Sequence, residues 1–259
     1  MSTRAIANHF LAAFCGIMLG VACFAGLQIY KIEMAYKVAR DTYDQISTLN
    51  SYQEEVVIPS SPVYTAAEIS PVQTDFNELR TTVNKDIIAW LYCPDTKINY
   101  PVVHYIDDDY YLKHDLYGHE SQSGVLFLQT ANYPDFSDRN NIIHGHHMMN
   151  GTMLATIEYW AMQKYYDEHP VMYLNTANSG NYRIDIIAAF ETPYGSHVYD
   201  YYFGSTEAFD QWISWVLSRS GLKTNVPVSV GDRFITLSTC AYSYEGARSV
   251  LVGKLVPIG

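Results

Sequence analysis

The sequence predicts a mainly β domain, a closed eight-stranded barrel or a sandwich with few helices, preceded by one membrane-spanning helix. Three observations predict this fold class: one long apolar run near the N-terminus, eight short apolar or alternating runs bounded by turn residues, and only a few stretches with helical spacing. Strands that alternate with helices would favour parallel βαβ units, whereas successive short strands favour a barrel or a sandwich.

The predicted strands cover residues 87–93, 100–105, 125–129, 141–146, 171–176, 182–192, 233–239 and 250–255. Predicted helices cover residues 75–84, 153–166 and 206–218. The first of them starts with a capping residue, Asp75, and has Glu78 three positions later. The last has Phe209, Trp212, Ile213 and Val216 on one face, so we expect it to pack on the body of the domain.

The composition excludes two classes of protein. With 259 residues, 48% of them hydrophobic, the chain can build a sizeable core and is too apolar to be disordered throughout. The net charge is −11 and no run of Lys and Arg occurs, which predicts no nucleic-acid partner, because phosphate binding requires clustered basic side chains. The 23 tyrosines outnumber the 16 basic residues and fit a β-rich domain.

Residues 10–29 form the apolar run. They contain one polar side chain, Gln28, and have the length of a bilayer-crossing helix. A cleaved signal peptide is an alternative, but the run is longer than a usual signal core and no A-x-A site follows it. A lipoprotein would use Cys23, yet the bulky apolar residue expected three positions earlier is absent, and a buried core helix would show a polar face. We interpret the run as an uncleaved anchor, whose flanking positive charges do not fix its orientation.

This interpretation divides the chain into three parts. Residues 1–30 are the membrane anchor, and residues 31–73 are a juxtamembrane helix and linker, with a break at the Pro-Ser-Ser-Pro stretch 59–62. Residues 74–259 are the folded domain, which we expect to hold all of the chemistry.

Cys240 and Arg248 are the first candidates for that chemistry. Cys240 closes an apolar segment, 234–240, and Arg248 opens the next strand eight residues on, so antiparallel pairing would bring both to one end of the sheet. An arginine beside a thiol favours thiolate and can donate to an oxyanion. Taken singly, a cysteine is more typical of a core and an arginine of a surface salt bridge. Cys93 lies in a strand, where we expect it to be buried and inert.

The histidine run 144–147 (HGHH) suggests either a metal site or a catalytic base. On a continuous strand, His144 and His146 would share a face, as two metal ligands do, and His147 would face away from His146. No further cluster of His, Cys or Asp lies at ligand spacing to complete a metal shell. We therefore predict no metal.

Together these segments resemble the sortases, the Gram-positive transpeptidases. The stretch TLSTC at 236–240, Arg248 and VLVGKL at 250–255 resemble one family signature, and NIIHGHHM at 141–148 resembles the strand with the catalytic histidine, His146. The stretch NKDIIAWLYCPDTKINYPVV at 84–103 resembles the opening strands, so the likeness covers residues 75–259. The HM after Gly-His, GTML at 151–154 and the helix at 206–218 are most similar to class B. His144 stands where Tyr is common, and Ala89 where Gly is frequent.

The resemblance implies a closed eight-stranded sortase β-barrel with Cys240 as nucleophile, His146 as proton carrier and Arg248 as oxyanion stabiliser. Ser238 and Thr239 would contact the substrate at the rim. The implied reaction cleaves a Thr–X bond in the C-terminal sorting motif of a surface protein and transfers the acyl group to a peptidoglycan cross-bridge or a pilin amine, with no cofactor. It also implies a single-pass protein of the cell membrane, with the catalytic domain outside the cell.

Three other functions stay open at this point. An extracellular cysteine protease or hydrolase would use the same residues and differ only in letting water resolve the acyl-enzyme. A catalytically silent, membrane-tethered binding module would be expected to have lost one of the three catalytic residues. A metal-binding sensor would rely on the histidine run.

Overall fold

The computed structural model describes residues 3–53 and 69–259 of the chain, and the break predicted at 59–62 lies outside them. By their contacts the residues fall into two compact units, Met1–Thr42 and Tyr43–Gly259. Helix α1, Thr3–Ser47, makes up most of the first unit. The stretch predicted as a juxtamembrane helix or stalk is therefore helical as far as Ser47.

Helix α1 is, among the described helices, the one that is long and apolar enough to cross a membrane by length and composition. The candidate span is Ala13–Ser47, which contains an 18-residue window with a mean hydropathy of 1.8. Large apolar side chains such as Phe14, Leu19 and Phe24 are more than half exposed, so no protein core covers this surface. The last turn of α1 belongs to the second unit, where the Tyr43 hydroxyl donates to the Gly124 carbonyl.

A closed eight-stranded barrel forms the second unit, as predicted. A two-stranded ribbon, β1 Ser51–Tyr52 with β2 Val72–Gln73, precedes it. The barrel strands are β3 Ile87–Tyr92, β4 Asn99–Val103, β5 Leu126–Leu128, β6 Asn140–His144, β7 Val171–Thr176, β8 Asn181–Pro193, β9 Phe234–Cys240 and β10 Ala247–Ile258. Their order around the barrel is β10-β8-β7-β3-β4-β5-β6-β9. Two neighbouring pairs, β4 with β5 and β6 with β9, are parallel, and the others are antiparallel.

Two of the predicted helices form where expected. Helix α2, Phe76–Thr82, starts after Asp75, whose side chain accepts from the Glu78 amide at 3.0 Å. A short helix, α3 Tyr110–Lys113, follows β4. The helix predicted at 206–218 is α5, Thr206–Arg219, and its apolar face packs on β8, β9 and β10 in a second core outside the barrel, around Phe234.

The helix predicted at 153–166 is wrong as a single element. A 3-10 helix covers Ala155–Ala161 and a separate helix, α4, covers Gln163–Glu168. Met162 between them has an extended backbone, with φ −91° and ψ 122°, which breaks the hydrogen-bond ladder. Met153 has a φ of +57°, outside the right-handed helical region, so the start also shifts.

Strand β6 ends at His144, two residues earlier than predicted. Gly145 is packed so tightly that a Cβ atom there would lie 2.3 Å from a Leu126 methyl carbon and 3.0 Å from Leu154. After this contact the chain leaves the barrel, and His147 forms an isolated bridge with Met153. The expectation of a continuous strand through His146 is therefore wrong, and strand alternation does not determine the direction of that side chain.

Candidate active site

One cleft of about 410 Å³ brings all five predicted site residues together. It lies where β6, β9 and β10 adjoin, beneath the connection between β8 and α5. Cys240, His146, Arg248, Ser238 and Thr239 all line it.

The strand register places two of the three candidate catalytic residues. Across the antiparallel β9–β10 ladder, Cys240 is directly opposite Arg248. Across the parallel β6–β9 ladder, His144 pairs with Ser238, and the Gly145 amide donates to the Ser238 carbonyl at 3.1 Å. β6 ends there, and the segment that follows brings His146 into the cleft that Cys240 and Arg248 line.

The two cysteines of the second unit have opposite surroundings. Cys240, the last residue of β9, is half-buried and its thiol is free. Cys93 is fully buried, and burial raises the pKa of its thiol to about 12. A thiol of that kind stays protonated and unreactive. The chain thus presents one thiol to the cleft and keeps the other in the core.

His146 is held by its Nε2 atom, which lies 2.7 Å from the carbonyl oxygen of Leu112. A carbonyl only accepts hydrogen bonds, so this contact places a proton on Nε2. Nδ1 is then the nitrogen that can bind and release a proton. Leu112 lies in α3, so the segment after β4 fixes the tautomer of a histidine that follows β6.

Arg248 is aligned by two contacts that leave its charge in place. Its Nη1 donates to the Ala247 carbonyl at 3.0 Å, and its guanidinium lies 5.2 Å from the centre of the Tyr194 ring. Within residues 3–53 and 69–259, no carboxylate forms an ion pair with Arg248. The salt-bridge interpretation of this arginine is therefore unsupported, and the donors remain available for an anion.

Ser238 and Thr239 meet the cleft differently. Alternation along β9 puts the Ser238 side chain on the same face as Cys240, and the Ser238 hydroxyl is 2.8 Å from the Tyr199 hydroxyl. The same alternation turns the Thr239 side chain to the other face, where its buried hydroxyl has no partner in the described part of the chain. Thr239 thus borders the cleft with its backbone.

His144 also lines the cleft, although the sequence showed it only as part of the histidine run and as a departure from the family pattern. Its ring stacks near those of Phe127 and Tyr199, with centroids at 5.3 and 6.1 Å and interplanar angles of 28° and 12°. Burial lowers the pKa of His144 to about 4, with Asp108 opposing this shift and Arg248 adding to it. The ring is therefore neutral at pH 7.

His147 stays outside the cleft, as expected. Its Nε2 lies 3.3 Å from a carboxylate oxygen of Glu158, and its ring meets the edge of the Tyr242 ring at 5.2 Å. The described residues contain no group of three or more His, Cys, Asp or Glu side chains that could hold a metal ion.

Sequence reasoning did not find Tyr194, Tyr199 or Leu112. Tyr194 and Tyr199 come from the connection between β8 and α5, and Leu112 from α3. No motif marks them, because they enter the cleft through the folding of loops.

Comparison with known proteins gives one consistent family. No family model matches the chain. Sortase B of Listeria monocytogenes is 32% identical over 93% of this chain and 94% of its own. The solved Staphylococcus aureus sortase B–substrate complex is 27% identical, covers 71% of this chain and 85% of its own, and has a TM-score of 0.67. The solved structure of Bacillus anthracis sortase B in complex with AAEK1 is 26% identical, covers 86% of this chain and 99% of its own, and has a TM-score of 0.72. The chain belongs to the sortase family, class B, and is a cysteine transpeptidase.

Proposed function

We propose that the protein cleaves a Thr–X bond in the C-terminal sorting motif of a surface protein and transfers the new acyl group to a cell-wall or pilin amine. The observation that carries this proposal is the cross-strand pair of Cys240 and Arg248 in one cleft with His146. A related Staphylococcus aureus sortase B has been solved as a substrate complex, which supports a substrate in this cleft.

In the first step, the Cys240 thiolate attacks the threonine carbonyl carbon. The carbonyl oxygen becomes an oxyanion and receives hydrogen bonds from the Arg248 guanidinium, which has no competing carboxylate in the described structure. The carbon–nitrogen bond then breaks, and His146 gives the proton on Nδ1 to the leaving amine. A thioester between the threonine acyl group and Cys240 remains.

In the second step, an acceptor amine attacks the thioester. His146, now neutral, takes a proton from the amine through Nδ1 while Nε2 stays bonded to Leu112. The carbon–sulfur bond breaks, a new amide forms and Cys240 is regenerated. Every proton moves between His146 and the two amines, so the reaction needs no cofactor.

Ser238 and Thr239 are proposed to contact the donor peptide. The Ser238 hydroxyl is on the Cys240 face and is held by Tyr199, which keeps it at a fixed place two residues from the nucleophile. Thr239 would contribute its backbone, because its side chain turns away from the cleft.

We also propose that residues 10–29 cross the cell membrane once and that the catalytic domain lies outside the cell. Residues 1–30 would be the anchor, 31–73 the connecting helix and linker, and 74–259 the catalytic domain. The support is the exposed apolar surface of α1. An uncovered apolar helix of this length is stable in lipid and costly in water.

The test uses the full chain in detergent micelles, incubated with a pool of x-P-x-T-x peptides and a small amine. Mass spectrometry should find amine-capped fragments that end at threonine, and Cys240→Ala should produce none. Cys93→Ala is the matched control, which should keep the activity because Cys93 lies in the core. Products ending only in a free carboxylate would identify a hydrolase. No cleavage by the folded, reduced protein would favour a silent binding module.

A further inference from the structure

His144 is the one histidine of the cleft that the proposed reaction does not use. It is the last residue of β6 and pairs with Ser238 across the parallel ladder, so it lies two residues below the level of Cys240. At about 3.3 Å per residue, that offset is roughly 7 Å along the strand. A peptide that runs along β9 with its threonine carbonyl at Cys240 would place a neighbouring residue near His144.

The ring of His144 has a defined tautomer. Its Nε2 is 3.3 Å from the side-chain oxygen of Gln129, an atom that only accepts hydrogen bonds. The proton is therefore on Nε2, and Nδ1 has a free lone pair. Among the residues the structure describes, Nδ1 has no hydrogen-bond partner. It is also not one of the side-chain nitrogen or oxygen atoms that are completely buried without a partner.

The neighbours of His144 keep that lone pair available. The rings of Phe127 and Tyr199 stack near the His144 ring, and burial of the ring disfavours the charged form. Asp108 favours the charged form and Arg248 opposes it, and with burial dominant the pKa falls to about 4. At neutral pH the ring is thus a fixed, uncharged hydrogen-bond acceptor beside the reaction centre.

A bound peptide needs such acceptors for its main chain. Peptides often satisfy their backbone N–H groups by adding a strand to a free sheet edge. This barrel is closed, so its eight strands pair with one another along most of their length. A side-chain acceptor in the cleft can then take the place of a strand.

We propose that Nδ1 of His144 accepts a hydrogen bond from a main-chain N–H of the donor peptide and thereby holds the threonine carbonyl in register with Cys240. The nature of that peptide rests on the function proposed above. His144 acts as a substrate-binding residue here, while proton transfer remains with His146.

The test removes single main-chain N–H groups from the substrate. A set of peptides with the cleaved motif carries an ester in place of one amide at each position other than the scissile bond. With the wild-type full chain, we expect one ester position to lower kcat/KM by about tenfold, the usual effect of one lost hydrogen bond. In His144→Phe, which keeps a stacked ring without an acceptor, the amide and ester peptides should be cleaved equally at that position.

His169→Phe is the matched control, because His169 also stacks on a tyrosine, with ring centroids 4.4 Å apart, but does not line the cleft. In this variant the ester peptide should still have a kcat/KM about tenfold lower than that of the amide peptide. A penalty that persists unchanged in His144→Phe would overturn the proposal.

A second measurement does not depend on turnover or on the stability of the phenylalanine variant. In the full chain carrying Cys240→Ala and ¹⁵N-labelled histidine, peptide binding should move the Nδ1 resonance of His144 upfield, as acceptance of a hydrogen bond does. A bound peptide that leaves this resonance in place would reject the contact. A peptide that shifts the resonance but is never cleaved by the wild type would instead reject the proposed reaction.

Discussion

Cys240 and Arg248 are directly opposed across the β9–β10 ladder, one as the last residue of its strand and the other as the second residue of the next. Their spacing is therefore set by main-chain hydrogen bonding. The loop between them, which carries the exposed Tyr242, can vary in shape without moving either residue.

This pairing predicts a large effect for Arg248. Arg248→Ala should lower kcat by about 10²–10³-fold, as expected for loss of an oxyanion donor, with a smaller change in KM. Arg248→Lys should recover only part of the rate, because an ammonium lacks the planar fork of donors. Arg219→Ala is the matched control, since Arg219 also stacks on an aromatic ring, that of Trp215, but lies outside the cleft. Wild-type kcat in Arg248→Ala would contradict the assignment.

Gly145 predicts a loss of activity without any change in a catalytic side chain. In Gly145→Ala the new methyl group would overlap the side chains of Leu126 and Leu154, so either these side chains or the segment carrying His146 must shift. We expect kcat/KM to fall by at least tenfold and the melting temperature to drop. Gly221→Ala, where a Cβ meets no atom within 4 Å, should leave both unchanged. Full activity in Gly145→Ala would show that the position of His146 tolerates this shift.

The neutral state of His144 predicts a pH dependence of stability. The pKa is near 6.5 in the unfolded chain and about 4 in the folded one, so the unfolded chain binds more protons between these values. The contribution of His144 to the free energy of unfolding should therefore be complete above pH 6.5. It should decrease by about 1–3 kcal/mol as the pH falls to 4. Urea denaturation should show a shallower decrease for His144→Phe. If the free energy of unfolding of the wild type and of His144→Phe fell equally with decreasing pH, this prediction would be refuted.

The buried pair of Arg183 and Asp185 predicts a strong effect on stability. Arg183 Nε lies 2.6 Å from Asp185 Oδ1, and both side chains are at most 1% exposed. Asp185→Ala should cost about 3–5 kcal/mol, because the arginine charge stays buried without its carboxylate. Glu168→Ala, which removes the exposed partner of Lys164, should cost at most about 1 kcal/mol. Equal losses measured by denaturant unfolding would contradict the difference in burial.

The barrel was predictable because its signals are local. Alternating side chains and turn residues mark the strands, and Asp75 with Glu78 marks the start of α2. The helix predicted at 153–166 failed because Met162 takes an extended backbone that no helix-breaking residue announces. The strand predicted to continue through His146 ends early for a similar reason, since the tight packing of Gly145 against Leu126 and Leu154 ends β6.

The cleft could be predicted only in part. Cys240, Arg248 and His146 carry a recognisable order along the chain. Leu112 and Tyr199 act through contacts between segments far apart in sequence, which no spacing encodes. His144 was visible as an unusual residue, but its stacked, uncharged state follows from its burial near Phe127 and Tyr199.

Strand β10 lies between β8 and β9, follows both of them in the chain, and carries Arg248. Until it is added, β8 and β9 each lack one of their two neighbours and the cleft lacks its guanidinium. Closure of the barrel by β10 and placement of Arg248 opposite Cys240 are therefore the same step of folding. Under the proposed mechanism, a nascent chain that has exposed Cys240 but not yet paired β10 lacks the oxyanion donor.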